Sequence, residues 1–278
     1  EHSGLGAAIK FPFITLLAAG ALLAPVWLAG AWALWSDRSL RTYRAFAVAA
    51  AVGAVFVWVY IPDRFYYLFG FYPALFAAGA IVTEGVVDGR RGFFRRVQQR
   101  RARLWRSRRV AAGIVIFNAL LFLPVGLPVL PRSAVAAADL NKVNYNLGEE
   151  IGWHDLVRQV GEAWRSLPDD ERRHAVVLTA NYGEAGALLR FASGGPARAY
   201  SGHNSFWSWG PPPDSATTVV TVGYDPNELA SRFATCRRVA RVHNSDGVHN
   251  DEDGEPISVC RDPIVPWHQL WPHFKHYG

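Results

Sequence analysis

Four long apolar runs without a charged residue constrain the fold of this chain more than any other feature. They cover residues 11–35, 45–61, 65–83 and 110–131, and are 25, 17, 19 and 22 residues long. A helix needs about 20 apolar residues to cross the hydrocarbon core of a bilayer, and buried helices of soluble proteins are rarely uncharged for so long. The sequence predicts an α-helical transmembrane region with four spans within residues 1–135, and therefore the lipid bilayer as a partner.

The distribution of arginine predicts how these spans are oriented. Residues 36–44 contain three Arg and residues 84–109 contain ten, whereas the alternate loop at 62–64 contains one. Short Arg-rich loops stay in the cytoplasm, so the segment after the fourth span is expected on the opposite side. We therefore predict a multi-pass protein of the plasma membrane with an extracytoplasmic second half.

The Arg-rich cytoplasmic loop, residues 84–109, also raises the question of nucleic-acid binding, because clustered Arg attracts phosphate backbones. Apolar side chains recur between the arginines at helical spacing: Phe93, Phe94, Val97, Leu104 and Trp105. This pattern is typical of a helix lying on an anionic leaflet, with its guanidinium groups among the headgroups. We expect no nucleic-acid partner.

The second half of the chain has a different composition and periodicity. Residues 1–139 hold 16 basic and 6 acidic side chains, whereas residues 140–278 hold 13 and 17. Short apolar runs predict strands at 175–180, 217–222, 237–243 and 256–261, and helical periodicity or helix-start signals predict helices at 149–167, 183–191, 226–234 and 266–276. Alternating strands and helices indicate a small extracytoplasmic α/β domain, residues 140–278, with a largely parallel sheet.

Cys236 and Cys260 are the only cysteines. Outside the cytoplasm a disulfide between them is favoured over two unpaired buried thiols. No metal site is predicted, because two sulfur ligands without a CxxC spacing are too few. A calcium loop starting in the acidic stretch 249–255 would have His249 at its first position and Cys260 at its twelfth, where acidic ligands are needed. We therefore expect a solvated turn there and no cofactor.

Two polar clusters in this second half are candidate ligand sites. The first, Asn181, Tyr182 and Glu184, directly follows a predicted strand and opens a helix, where free N–H groups attract anions. A capped turn is the alternative. The second, around His203, Asn204 and Trp207, places aromatic rings among small polar residues. Such rings suit a sugar or headgroup, or equally pack a loop onto the membrane half.

The predicted outer loop between the second and third spans contains a third candidate. Arg64 precedes Tyr66 and Tyr67 at the entry to the third span. A guanidinium offers bidentate donors to a lipid phosphate, although Arg64 can instead form a surface ion pair with Asp63. No residue spacing predicts a catalytic triad, so the catalytic residues are unknown at this stage.

Segments along nearly the whole chain resemble the C-terminal part of bacterial, actinobacterial-type family 39 glycosyltransferases. These polytopic enzymes are related to protein mannosyltransferases and take a sugar from a polyprenyl-phosphate donor. The segments that carry the resemblance are 25–30, 66–67, 71–80, 181–186, 200–204, 209–212, 266–267 and 276–278. The Gly-Lys pair that precedes the Tyr pair in the family is replaced here by Asp63 and Arg64, with Phe65 inserted before the tyrosines.

The resemblance implies a GT-C-type membrane enzyme that moves the sugar to an extracytoplasmic acceptor. It implies that Arg64, Tyr66 and Tyr67 contact the lipid phosphate, and that the two outer clusters contact donor or acceptor. The family's general base lies in an acidic outer loop near its N-terminus. The chain starts at Glu1 and contains no Met, so we expect it to be a piece of a longer protein. The general base is then expected upstream of Glu1, and the isolated piece is expected to be inactive. The rival interpretation is a non-catalytic, membrane-anchored binding or accessory protein.

Overall fold

The computed structural model describes residues 4–87, 108–192 and 198–277. The chain divides into two compact units, Glu1–Pro124 and Val125–Gly278. The first is helical and the second combines helices with a sheet. The predicted surface helix with Phe93 and Trp105 lies outside the described residues.

The first unit contains long helices joined by short 3-10 segments. The helices are α1 (Gly4–Ala18), α2 (Ala24–Ser36), α3 (Arg44–Tyr60), α4 (Tyr72–Val87) and α5 (Arg108–Gly126), with 3-10 segments at Ala21–Leu23, Arg38–Tyr43 and Pro62–Phe71. Two helical stretches, Arg38–Tyr60 and Arg64–Thr83, are long and apolar enough to cross a membrane. They include the predicted span 65–83 and all but the last residue of the predicted span 45–61, as expected for a membrane protein.

The other two predicted spans differ from a single straight helix. Residues 11–35 form two helical pieces, Ile9–Leu17 and Ala21–Ser36, bent by 84°. The bend lies at Gly20, whose φ of +87° is a left-handed conformation that glycine adopts readily. Within 110–131 the apolar helix Ala112–Gly126 is shorter than a full span. It ends early because its last turns contain proline and glycine.

Helices α2 and α4 pack backbone against backbone through two glycines. A Cβ at Gly30 would overlap the carbonyl oxygen of Leu75, and one at Gly79 would overlap that of Val26. In a bilayer no hydrophobic driving force brings helices together, so their association depends on close packing. Small residues at such positions allow the two backbones to approach closely.

The second unit surrounds a five-stranded sheet. Its helices are α6 (Arg132–Ala137), α7 (Leu140–Val143), α8 (Tyr145–Glu149), α9 (Trp153–Arg165), α10 (Asp169–Arg172), α11 (Tyr182–Phe191), α12 (Pro226–Leu229) and α13 (Trp267–Leu270), and its strands are β1 (Ala175–Thr179), β2 (Ala199–Ser201), β3 (Thr218–Val222), β4 (Phe233–Arg241) and β5 (Pro256–Pro263). Further 3-10 segments cover Asn204–Trp209 and Trp271–Phe274. The strand order is β2-β1-β3-β5-β4.

The sheet is mixed, which corrects the expectation of a largely parallel one. Strand β1 is parallel to β2 and β3, but β5 is antiparallel to both β3 and β4. The reason is the connection: parallel neighbours need a crossover, usually through a helix, whereas antiparallel neighbours are joined by a turn or loop at one end of the sheet. The predicted helix 226–234 is only the four-residue α12, and β4 then returns through a loop directly into β5.

Both faces of the central strands β1 and β3 are covered, which explains why these two strands are buried over nearly their whole length, whereas the edge strand β4 is mostly exposed. One face packs Val177, Val220 and Val259 against residues of α9 and α11. The other packs Val176, Leu178, Val219 and Cys260 against α13 and the segment after it. The predicted disulfide is confirmed: Cys236 and Cys260 face each other across β4 and β5, with Cα atoms 4.1 Å apart.

Candidate functional site

The two outer polar clusters meet at one edge of the sheet. Strands β1, β2 and β3 are parallel and end at Thr179, Ser201 and Val222. The residues that follow these three strands therefore emerge at the same edge of the sheet. Strand β1 lies between β2 and β3, so the chain runs from β1 to its neighbour β2 and then crosses to β3 on the other side of β1. In open α/β sheets, ligands bind where the strand order reverses in this way. We call this region the carboxyl edge.

Asn181 and Glu184 begin helix α11 as a capping box. The Asn181 side chain accepts a hydrogen bond from the Gly183 N–H at 2.7 Å, and the Glu184 carboxylate accepts one from the Asn181 N–H at 2.8 Å. This arrangement satisfies the orphan donors of the first helical turn. The capped-turn alternative thus describes these two side chains.

Glu184 is an unusual capping residue because it is only 2% exposed. Burial is the main reason that its pKa rises to about 8, and the negative charges of Glu252 and Glu255 add to the effect, while the N–H of Asn181 opposes it. A Cβ at Gly223, whose φ is +82°, would lie 3.0 Å from a Glu184 carboxylate oxygen. Glycine is therefore required where β3 ends against this carboxyl group.

His203 lies at the centre of the carboxyl edge. Its ring contacts the Tyr182 ring, with centroids 4.9 Å apart, and stacks on His276 at 4.7 Å. The Tyr182 backbone N–H donates to His203 Nδ1 at 3.5 Å. Its Nε2 atom is buried and has no hydrogen-bond partner among the described residues. Burial, followed by the neighbouring His276, lowers the pKa of His203, so the ring is neutral near pH 7.

His276 belongs to the site but was missed as a site residue by sequence reasoning. Residues 274–277, the C-terminal segment, run beside the end of β2: His276 N–H donates to Gly202 O at 3.1 Å, and Asn204 N–H donates to His276 O at 2.9 Å. A Cβ at Gly202 would overlap the carbonyl oxygen of Phe274. Residues 276–278 are among the segments that carry the family resemblance, and the glycine between Ser201 and His203 is the sequence signal for the close approach.

The aromatic turn after His203 presents a different tryptophan from the predicted one. The Trp207 indole donates to Trp271 O at 3.2 Å, the Trp271 indole donates to Trp207 O at 3.0 Å, and the Lys275 ammonium lies 4.3 Å from the Trp207 ring centroid. Trp209, in contrast, is 70% exposed and stacks on Phe206 with centroids 4.3 Å apart. Trp207 therefore helps to hold the turn, and Trp209 offers a free ring face.

Arg64, Tyr66 and Tyr67 lie in the first unit, on the 3-10 segment Pro62–Phe71. Arg64 interrupts that segment with non-helical angles (φ −97°, ψ 35°). Its Nη1 donates to the Tyr66 hydroxyl at 2.9 Å, and the Tyr66 and Tyr67 rings meet edge to face at 4.9 Å. Arg64 and Tyr67 are exposed, so this group presents a guanidinium and a phenol at the start of the apolar stretch Arg64–Thr83.

The acidic stretch 249–255 folds into a loop tied to α8 and to its own backbone. Asp251 N–H donates to the Glu149 carboxylate at 3.1 Å, and Asn250 accepts from Asp253 N–H at 2.9 Å. Glu252 is buried rather than solvated, and burial raises its pKa to about 7. Within the part of the chain that the structure describes, no three His, Cys, Asp or Glu side chains are grouped to hold a metal ion.

Comparison of the chain with models of protein families, with curated proteins and with solved structures finds no match.

Proposed function

We propose that this chain is part of an integral membrane glycosyltransferase that uses a polyprenyl-phosphate-linked sugar and an extracytoplasmic acceptor. The resemblance of its sequence segments to family 39 glycosyltransferases supports this, together with two apolar helices of membrane-spanning length. In this proposal the bent pair α1–α2 is the first, broken span, the stretches Arg38–Tyr60 and Arg64–Thr83 are the second and third, and α5 belongs to the fourth span. The Arg-rich loop faces the cytoplasm and the α/β unit lies outside.

The observation that carries the proposal is the placement of Arg64. Its guanidinium is held by the Tyr66 hydroxyl at 2.9 Å on a distorted segment that leads into an apolar stretch of membrane-spanning length. A cation fixed at the start of a membrane-spanning stretch can bind the phosphate of a lipid whose hydrocarbon chain lies along the helix, because charge-assisted hydrogen bonds to phosphate are strong. Tyr66 and Tyr67 would complete the contact as interfacial aromatics.

The carboxyl edge of the α/β unit has the second role in this proposal. Asn181, Tyr182, Glu184, His203, Asn204 and Trp207 form or support a surface toward donor or acceptor. The general base of the reaction is assigned to no residue of this chain. The proposal therefore expects sugar transfer by the longer protein and none by these residues alone.

Binding of polyprenyl phosphate to the chain in nanodiscs tests the role of Arg64. We expect Arg64→Ala to weaken binding about tenfold, the scale of one charge-assisted contact, and to leave the weak binding of uncharged polyprenol unchanged. Arg41→Ala removes an exposed arginine from another 3-10 segment and is the matched control. Equal affinity of wild type and Arg64→Ala for the phosphate contradicts the proposed role.

A membrane-anchored binding protein without catalysis is the second candidate. The carboxyl edge supports it, because the exposed rings of Tyr182 and Trp209 offer a binding surface, while the Glu184 carboxyl group caps α11. The two candidates differ in one measurement on the longer protein: transfer of a labelled sugar from the lipid donor occurs only if the first is correct.

A further inference from the structure

We propose that the carboxyl edge and the aromatic turn after it bind a chain of sugar rings, in which the exposed rings of Tyr182 and Trp209 contact different sugars and His203 Nε2–H donates a hydrogen bond to a hydroxyl oxygen. This inference rests on the proposed function and deepens it, since it gives the extracytoplasmic acceptor a chemical class: a chain of pyranose sugars. Three features of the carboxyl edge support it.

The first feature is that Trp209 is exposed on a rigid support. It is 70% exposed, yet the turn that carries it is fixed on both sides. Phe206 stacks beneath it, and Trp207 and Trp271 exchange indole-to-carbonyl hydrogen bonds. Gly210 then ends the turn with a φ of +96°. A large aromatic face held in place in this way binds a flat apolar surface with little further loss of side-chain entropy.

The second feature is the unsatisfied donor on His203. The Tyr182 N–H points to Nδ1, so Nδ1 is the acceptor of the neutral ring and Nε2 carries the proton. That Nε2–H is buried and unpartnered among the described residues. Leaving a buried donor unpaired costs about 1–3 kcal/mol, and a ligand oxygen that reaches this atom removes the cost.

The third feature is the mixture of rings and polar groups, which distinguishes a sugar from a lipid tail or an apolar protein surface. Tyr182 is 49% exposed beside His203, and the Lys275 ammonium lies 4.3 Å from the Trp207 ring and 5.7 Å from the Tyr277 ring. A hydrocarbon surface would bury these polar groups without partners. A pyranose offers apolar C–H faces for the rings and hydroxyl oxygens for the donors.

Isothermal titration of the full chain in detergent micelles, without any polyprenyl lipid, tests the inference. The probes are mannopentaose, maltopentaose and chitopentaose. We expect at least one of them to bind with a Kd of about 1 mM or tighter. Trp209→Ala is expected to weaken that binding about tenfold, whereas Trp209→Tyr, which keeps a ring, stays within about threefold of wild type. His203→Ala weakens binding, and His203→Gln, which keeps an N–H donor, restores part of it.

Phe191→Ala is the matched control for loss of an aromatic ring. Phe191 is 40% exposed and ends α11, about 14 Å along the helix from Tyr182, so its removal leaves binding unchanged. The inference is overturned if none of the three probes binds, or if Trp209→Ala binds as tightly as wild type, as it would if that ring contacts lipid. Arg64→Ala leaves oligosaccharide binding intact, so failure here is distinguishable from failure of donor binding.

Discussion

The buried carboxyl group of Glu184 makes the stability of the α/β unit depend on pH, and Glu184→Gln isolates this effect. Glu184 is 2% exposed, and its pKa lies at about 8 in the folded chain against 4.5 for an exposed glutamate. The folded state therefore holds the proton more tightly than the unfolded state. Its contribution to stability is complete below about pH 4.5 and is lost as the pH rises to about 8.

The size of the effect follows from these two values. Linkage with pKa values of 4.5 and about 8 gives a loss of about 2.5 kcal/mol of unfolding free energy between about pH 5 and about pH 7. Glutamine has no ionisable group and still offers an oxygen to the Asn181 N–H, which lies 2.8 Å from the carboxylate. We expect Glu184→Gln to lose about 2.5 kcal/mol less than wild type over this interval.

Urea unfolding of the detergent-solubilised chain, followed by tryptophan fluorescence at both pH values, measures the difference. Glu252 also titrates in this range, so the comparison of variant with wild type, rather than either slope alone, reports on Glu184. Glu162→Gln removes a carboxylate that is 56% exposed on α9 and controls for a change in net charge. If wild type and Glu184→Gln lose the same free energy from pH 5 to pH 7, the reasoning about burial is wrong.

Three further variants test the packing. Gly202→Ala displaces the C-terminal segment, which costs two backbone hydrogen bonds and the imidazole stack, about 3 kcal/mol in all; faster amide exchange in residues 274–277 checks this, and unchanged exchange contradicts it. Gly30→Ala separates α2 from α4 and lowers the unfolding free energy, measured by thermal unfolding, by about 1–3 kcal/mol. Gly70→Ala is the control, because its Cβ meets open space and should leave the unfolding free energy nearly unchanged. Replacing Cys236 and Cys260 together by serine opens a loop with a sequence separation of 24 and lowers the unfolding free energy by about 3 kcal/mol; a urea midpoint equal to that of the oxidised wild type speaks against the bridge.

Local sequence patterns were sufficient to predict an element wherever the interactions that form it join residues close in sequence. The helical runs 45–61 and 65–83 were predicted within a few residues because their uncharged length suits a membrane span. The strands around 175–180 and 217–222 were predicted equally closely, because burial on both faces favours a nearly continuous apolar run. The break at Gly20 was missed because a single glycine inside an apolar helix is normally tolerated. Its left-handed conformation depends on the surrounding packing, including the Asn118 side chain beside it.

The candidate site shows the same division. The capping box of Asn181 and Glu184 spans three residues, and the alternative of a capped turn was available from the sequence. The identity of the exposed tryptophan was not available from the sequence, because Trp207 and Trp209 lie two residues apart in the same turn and differ in their tertiary partners. Trp271, more than sixty residues away, engages the first and not the second.

The sequence by itself determined the apolar helices and the α/β character of the second half, because the period and length of hydrophobic runs are local properties. It also determined the cysteine pair, because the chain has only two cysteines. Only the tertiary structure decided that Tyr182, His203 and His276 form one cluster. Parallel strand pairing places the ends of β1 and β2 side by side, and the missing side chain of Gly202 lets the C-terminal segment reach them. Such contacts depend on register and close approach between distant segments, which no local pattern specifies.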